Sequence, residues 1–356
     1  MYSPLKVVHH VEALRMAKES HGLVVPRHLE INPTNVCNHN CTFCTYRSQS
    51  ADSLNDRFVP SDKLELEDVQ RLISEAKELG VRAIQFCGGG EPTLHGDLRA
   101  MIRRCLDEEM SVGLVTNGSR LHRSWAPDLC GVTWVRVSID AATPETYAKV
   151  HYQGRGKGGS IDRAWAATAV CGDIEDCVVG VSYITTPDNV SEIAQAARLA
   201  KAQGADYIRI GAEVYTDGRD STLHDMQDAI QQQISEAHVL SDEAFSIVDH
   251  ATKRVNNASS TLYTEKDGVE CHHAQMVGVI GADGWLYSCC VKKYCSDGRV
   301  TNVLDKSLRT ALLGDERASY LQKLTPFTDC QSGCFLKPKN DIVNACLTAP
   351  DHVEFV

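Results

Sequence analysis

Three cysteines within eight residues, Cys37-x3-Cys41-x2-Cys44, constrain this chain more than any other feature. They follow the run Glu30-Ile31-Asn32-Pro33-Thr34-Asn35-Val36, which leaves an apolar segment, so the thiols stand at the end of a candidate strand. So close a set suits a metal or a cluster. A [4Fe–4S] cube has four irons, and three cysteines leave one iron open to a small molecule. Three cysteines also hold zinc when a fourth Cys or His joins them, and His39 is in place to do so.

Gly88-Gly89-Gly90-Glu91-Pro92 tips the balance, because it follows a second apolar strand candidate about forty residues on. Glycines let a backbone approach a ligand closely, and Glu91 offers an anion for an amino group. With both motifs in this order, the chain resembles the radical S-adenosylmethionine (radical SAM) superfamily. The resemblance implies a SAM-binding [4Fe–4S] cluster on Cys37, Cys41 and Cys44. It places Gly88, Gly89, Gly90 and Glu91 at the SAM amino group and Phe43 against the adenine. Thr116, Asn117, Ser138 and Asp140 stand where the family lines its cofactor cavity, although Asn-Gly and Ser/Asp also begin ordinary turns. It also implies reductive cleavage of SAM and hydrogen-atom abstraction from an unactivated C–H bond, with an electron donor such as flavodoxin or ferredoxin as partner.

The wider pattern predicts an α/β fold. Strand candidates are 29–32, 83–86, 112–115, 134–139, 178–185 and 207–210. Between them, apolar positions recur at three and four, as in Val69, Leu72, Ile73, Ala76 and Leu79 before the stop at Gly80. Six such units match the family's partial (β/α)6 TIM-like barrel, over roughly 28–215. Residues 1–27 read as an N-terminal extension, too short for a leader-peptide domain, and 216–265 as a helical linker. Residues 266–356 read as a smaller α+β auxiliary domain.

Seven of the fifteen cysteines fall in that last segment. Cys271-x12-Gly284-x4-Cys289 brackets two apolar runs joined by Asp283-Gly284, the pattern of a β-hairpin. This resembles the opening of the Twitch and SPASM domains, and implies one auxiliary [4Fe–4S] cluster on Cys271, Cys289, Cys330 and Cys334. Cys295 or Cys346 could replace a ligand, and zinc is the competing occupant. The dense cysteine run of a full SPASM domain is missing, which disfavours a further cluster. Cys290, next to a likely ligand, is the candidate hydrogen-atom donor and otherwise a spare ligand. Cys87, Cys105, Cys130, Cys171 and Cys177 read as small buried hydrophobes.

The favoured substrate is small, polar and carbohydrate- or aminocyclitol-like, epimerised at one carbon. Asp140, Glu145, Arg155, Arg209, Glu213 and Tyr215 lie near strand ends and are able to bind its hydroxyls. Dehydrogenation of an alcohol to a ketone, modification of a peptide, and iron–sulfur electron transfer without SAM chemistry are the alternatives. A net charge of −11 gives no support to nucleic-acid binding, and no apolar run is long enough to span a membrane. Fifteen cysteines without a secretory signal point to the reducing cytoplasm.

Overall fold

The computed structural model describes residues 4–19, 22–47, 55–152, 160–213, 222–256, 263–264, 270–330, 334 and 336–348. Ten strands form one sheet: β1 (His28–Ile31), β2 (Ala83–Phe86), β3 (Ser111–Thr116), β4 (Trp134–Ser138), β5 (Val178–Thr185), β6 (Tyr207–Ala212), β7 (Ser246–Asp249), β8 (Val277–Ile280), β9 (Trp285–Tyr287) and β10 (Arg299–Asn302). Their order is β10-β9-β8-β1-β2-β3-β4-β5-β6-β7. Every pair from β8 through β1 to β7 is parallel, whereas β8–β9 and β9–β10 are antiparallel. Parallel strands joined through helices give the partial TIM-like barrel that the α/β alternation predicts.

Side-chain alternation sets the two faces. Leu29, Ile31, Ile84, Phe86, Val112, Leu114, Val135, Val137, Val179 and Val181 point outward and are buried under the helices. Helix Leu66–Leu79 covers them with Val69, Leu72, Ile73 and Ala76, and ends at Gly80, whose φ of 89° permits the left-handed cap. Each such side chain taken from water contributes about 1.5–3 kcal/mol. The inward row Glu30, Gln85, Gly113, Trp134 is aligned across β1 to β4. Gly113 is needed there, since a Cβ would lie 2.3 Å from the Trp134 ring.

Two expectations change. The stretch read as a helical linker holds helix Gln227–His238 but also β7, which extends the barrel sheet beside β6. The hairpin around Gly284 forms, yet its first strand pairs parallel with β1, so the C-terminal segment continues the barrel sheet. Among the spare cysteines, Cys87, Cys105 and Cys171 are buried, Cys177 is partly so, and Cys130 is exposed, correcting its reading as a core residue. No helix among the described residues is long and apolar enough to cross a membrane.

Candidate functional site

The cysteine loop leaves the C-terminal end of β1 and is clamped on both sides. On one side Gly90 N–H donates to Thr34 O (3.1 Å) and Glu91 N–H to Val36 O (2.9 Å). On the other, Asn40 N–H and Thr42 N–H donate to His151 O and Val150 O, both at 2.9 Å, on helix Pro144–Tyr152. Burial pushes the Cys37 thiol up to about 11, with the Glu91 and Cys44 charges adding to the rise. Cys41 is raised further, by burial and then by Cys44, Asp140 and Cys37, and burial also raises Cys44. Three partly buried, desolvated thiols resist ionisation unless a cation compensates. An iron cluster supplies that compensation, so the donor set fits the group.

Beneath the loop lies a histidine pair. His39, Cys41 and His151 bring ligand atoms within 4.8 Å of one another. Cys41 Sγ is 3.1 Å from His151 Nδ1, and His151 Nε2 is 2.7 Å from Ile139 O. The carbonyl only accepts, so Nε2 carries the ring hydrogen and Nδ1 accepts from the thiol. Burial lowers His39 to about 3 and His151 to about 4, which leaves both rings neutral near pH 7. A zinc ion would also accept these donors. His151 was invisible to motif reading because it lies 110 positions from Cys41.

The glycine run packs closely on the chain itself. A Cβ on Gly89 would lie 2.3 Å from Asn35 Oδ1, and one on Gly90 2.2 Å from Val36 O. The Glu91 carboxylate is likewise engaged. Oε1 accepts from Thr93 N–H (3.0 Å), Thr93 Oγ1–H (2.5 Å) and Thr116 Oγ1–H (2.5 Å), and Oε2 accepts from Asn117 N–H (2.6 Å). Glu91 thus ties the ends of β2 and β3 together, with Oε2 accepting a single hydrogen bond. Asn117 Nδ2 donates to Asn38 Oδ1 (3.0 Å) inside the cysteine loop.

At the end of β4, Ser138 is partly exposed while Asp140 is fully buried at a φ of 56°. Asp140 Oδ1 accepts from Ile184 N–H (2.5 Å), and Oδ2 faces His151 Nε2 at 3.4 Å without a hydrogen-bond partner. Burial pushes this carboxyl up to about 7. Phe43 meets the His151 ring edge-on at 6.1 Å between centroids. Of the polar candidates, Arg209 stands on β6, Glu213 is buried just beyond it, and Glu145 opens helix Pro144–Tyr152. Arg155 and Tyr215 lie outside the described residues.

A second thiol group forms in the C-terminal segment. Burial raises Cys271, and the charges of Cys289, Cys334 and Cys330 raise it further. Cys330, pushed to about 12 by burial, feels Cys334 and Cys289 in turn. The Tyr263 hydroxyl hydrogen-bonds the Cys334 sulfur. Cys295 instead points toward Asn55 Oδ1 at 3.7 Å, and Cys346 stands on helix Lys337–Leu347. Among the described residues these thiols do not form a group with ligand atoms within 4.8 Å, as a single zinc ion would need, whereas the larger [4Fe–4S] cube accepts more widely spaced thiols.

Cys290 is partly exposed and packs on the apolar group of Val279, Tyr287 and Tyr294. Val279 is aligned with Glu30, so this group lies on the inward face of the sheet. Sequence patterns missed Lys293, which carries no motif. Its Nζ donates to Glu30 Oε1 (2.8 Å) and Asn32 Oδ1 (2.7 Å).

The Radical SAM superfamily profile matches residues 31–200. A GTP 3',8-cyclase of Rhizobium leguminosarum is 31% identical over 148 residues, 38% of this chain and 40% of that protein. An AdoMet-dependent heme synthase of Methanosarcina barkeri is 31% identical over 182 residues, 51% of this chain and 48% of that protein. The chain therefore spans no more than about half the length of these relatives. Among solved structures, Streptococcus suis SuiB bound to precursor peptide SuiA aligns at a TM-score of 0.67 with 15% identity, covering 94% of this chain and 78% of that one. anSMEcpe with bound AdoMet and Cp18Cys peptide aligns at 0.59 with 16% identity, covering 87% and 89%. At those identities the likeness concerns the fold. The match over 31–200 and the cysteine loop it contains identify a radical SAM domain in this chain, of the superfamily that uses SAM and a [4Fe–4S] cluster.

Proposed function

We propose that the chain is a radical SAM epimerase: hydrogen is removed from one carbon of a small, polar, aminocyclitol-like substrate and returned to it by Cys290. Cys37, Cys41 and Cys44 hold the SAM-binding cluster in this reading, and Cys271, Cys289, Cys330 and Cys334 hold an auxiliary one. When bound, SAM and its cluster supply a carbon radical able to take a hydrogen atom from an unactivated C–H bond. The chain's own residues do the rest.

Glu91, Thr116 and Asn117 fix the strand ends around the cysteine loop, and Asn117 holds the loop through Asn38. The Cys290 S–H bond breaks as a new C–H bond forms on the opposite face of the substrate, leaving a thiyl radical. A flavodoxin- or ferredoxin-class donor would supply two electrons per turnover, one for the reductive cleavage that consumes SAM to methionine and 5′-deoxyadenosine and one that, with a proton from water, restores the thiol.

The observation that carries this reading is the place of Cys290, on the inward face of the sheet and one residue from Cys289. Similarity to GTP 3',8-cyclases and to peptide-bound neighbours covers the shared barrel, which serves many substrates, so GTP and peptides belong in the same test. The experiment is anaerobic turnover in deuterium oxide with aminocyclitols, GTP and short peptides. An aminocyclitol that gains one solvent deuterium on an inverted carbon supports the reading. If Cys290→Ala forms 5′-deoxyadenosine but no inverted product, the donor assignment stands. A cyclised GTP, a cross-linked peptide or a ketone would overturn it.

A further inference from the structure

The loop that carries Cys289 and Cys290 is seated by the next residues along it. Lys293 is only 2% exposed, yet its ammonium is met by the Glu30 carboxylate at 2.8 Å and the Asn32 carbonyl oxygen at 2.7 Å. Both partners are buried on β1 and just beyond it, 261 and 263 positions away in sequence. Asn32 is itself fixed, donating to Ile280 O at 3.3 Å. The Tyr46 ring lies 5.4 Å from the same ammonium. Tyr46 and Cys290 pack against the same group of Val279, Tyr287 and Tyr294, so the ion pair and the thiol share one neighbourhood.

Tyr294 adds a second constraint. It is completely buried with a φ of 61°, an uncommon and strained value for a bulky residue. Its hydroxyl donates to Asn35 Oδ1 (2.6 Å) and accepts from Ala282 N–H (3.0 Å), which joins the loop to the segment entering Cys37. A buried ion pair contributes little net stability compared with an apolar pair of the same shape. Such a pair beside a strained residue specifies geometry, here the placement of a loop.

We propose that Lys293, through Glu30 and Asn32, is the positioning residue that fixes where the Cys290 thiol stands on the inward face of the barrel, and so the face of the substrate that receives the returned hydrogen atom. This rests on the reading of Cys290 as donor. The loop itself provides the coupling: only Val291 and Lys292 lie between Cys290 and Lys293, and Tyr294 anchors the backbone directly after the ammonium-bearing residue.

The test uses the reconstituted holoenzyme. Lys293→Met alone strands a buried carboxylate and threatens folding, so the main variant is Glu30→Gln with Lys293→Met, which removes both charges together. Iodoacetamide labelling of Cys290, followed across pH by peptide mass spectrometry so that thiolate fraction is separated from access, reads the position of the thiol independently of any substrate. In the double variant labelling should quicken by about tenfold or more, as loss of local ordering opens the loop. Iron should remain near eight per chain, and SAM cleavage with dithionite should stay within about twofold. With an aminocyclitol that the wild type epimerises, the ratio of 5′-deoxyadenosine to product should rise, a change that general loosening without altered placement would not produce. Unchanged labelling, or loss of the auxiliary iron, overturns the proposal. If Cys290→Ala still makes the inverted product, the donor reading falls, while the labelling result still decides whether Lys293 places the loop.

Discussion

Asp140 makes the structure's electrostatics measurable. It is fully buried, one carboxylate oxygen has a single amide donor, and the other faces a ring nitrogen whose hydrogen is directed to Ile139 O. Desolvation dominates and raises the carboxyl from its ordinary 3.8 to about 7. A group shifted that far carries about 4 kcal/mol of linked stability, since each pKa unit is worth about 1.4 kcal/mol. The sign follows from proton counts. Between pH 4 and 7 the folded chain keeps a proton that the unfolded chain has lost, so the contribution is complete below about 4 and is lost as pH rises through about 7. Asp140→Asn removes this titration and tolerates the left-handed backbone, which Asn adopts readily. Urea unfolding of both proteins from pH 4 to 8 should show the variant gaining on the wild type with rising pH, by up to about 4 kcal/mol. Parallel curves would refute the buried, poorly solvated carboxylate.

Gly90→Ala drives a Cβ into the Val36 carbonyl and should cost about 1–3 kcal/mol, read as a lowered Tm, with reduced iron loading of the cysteine loop. Cys271→Ala should lose about four irons while 5′-deoxyadenosine formation with dithionite survives. Persistence of all the iron would place the auxiliary ligands elsewhere.

Much of the barrel is legible because parallel strands buried under helices read as apolar runs. β5 was bounded correctly from Val178 to Thr185 for that reason. β7 escaped notice: Ser-Ile-Val-Asp is short, polar at both ends and set among helical residues. The three-cysteine loop is legible because its ligands are adjacent in sequence. His151, Lys293 and Tyr294 are not, because each reaches the site from more than 100 positions away and acts through burial and hydrogen bonds, which leave no spacing pattern. The glycine run was legible as a close-approach element, but the sequence alone did not reveal that Asn35 and Val36 are what it approaches.

The central claim is that Cys37, Cys41 and Cys44 hold the cluster that cleaves SAM. Its most direct measurement is the joint iron and 5′-deoxyadenosine assay on the anaerobically reconstituted Cys37→Ala, Cys41→Ala, Cys44→Ala protein. The account predicts about eight irons per chain in the wild type and about four in the variant, with a [4Fe–4S] absorption band retained and no 5′-deoxyadenosine above background. Undiminished SAM cleavage by the variant would contradict it.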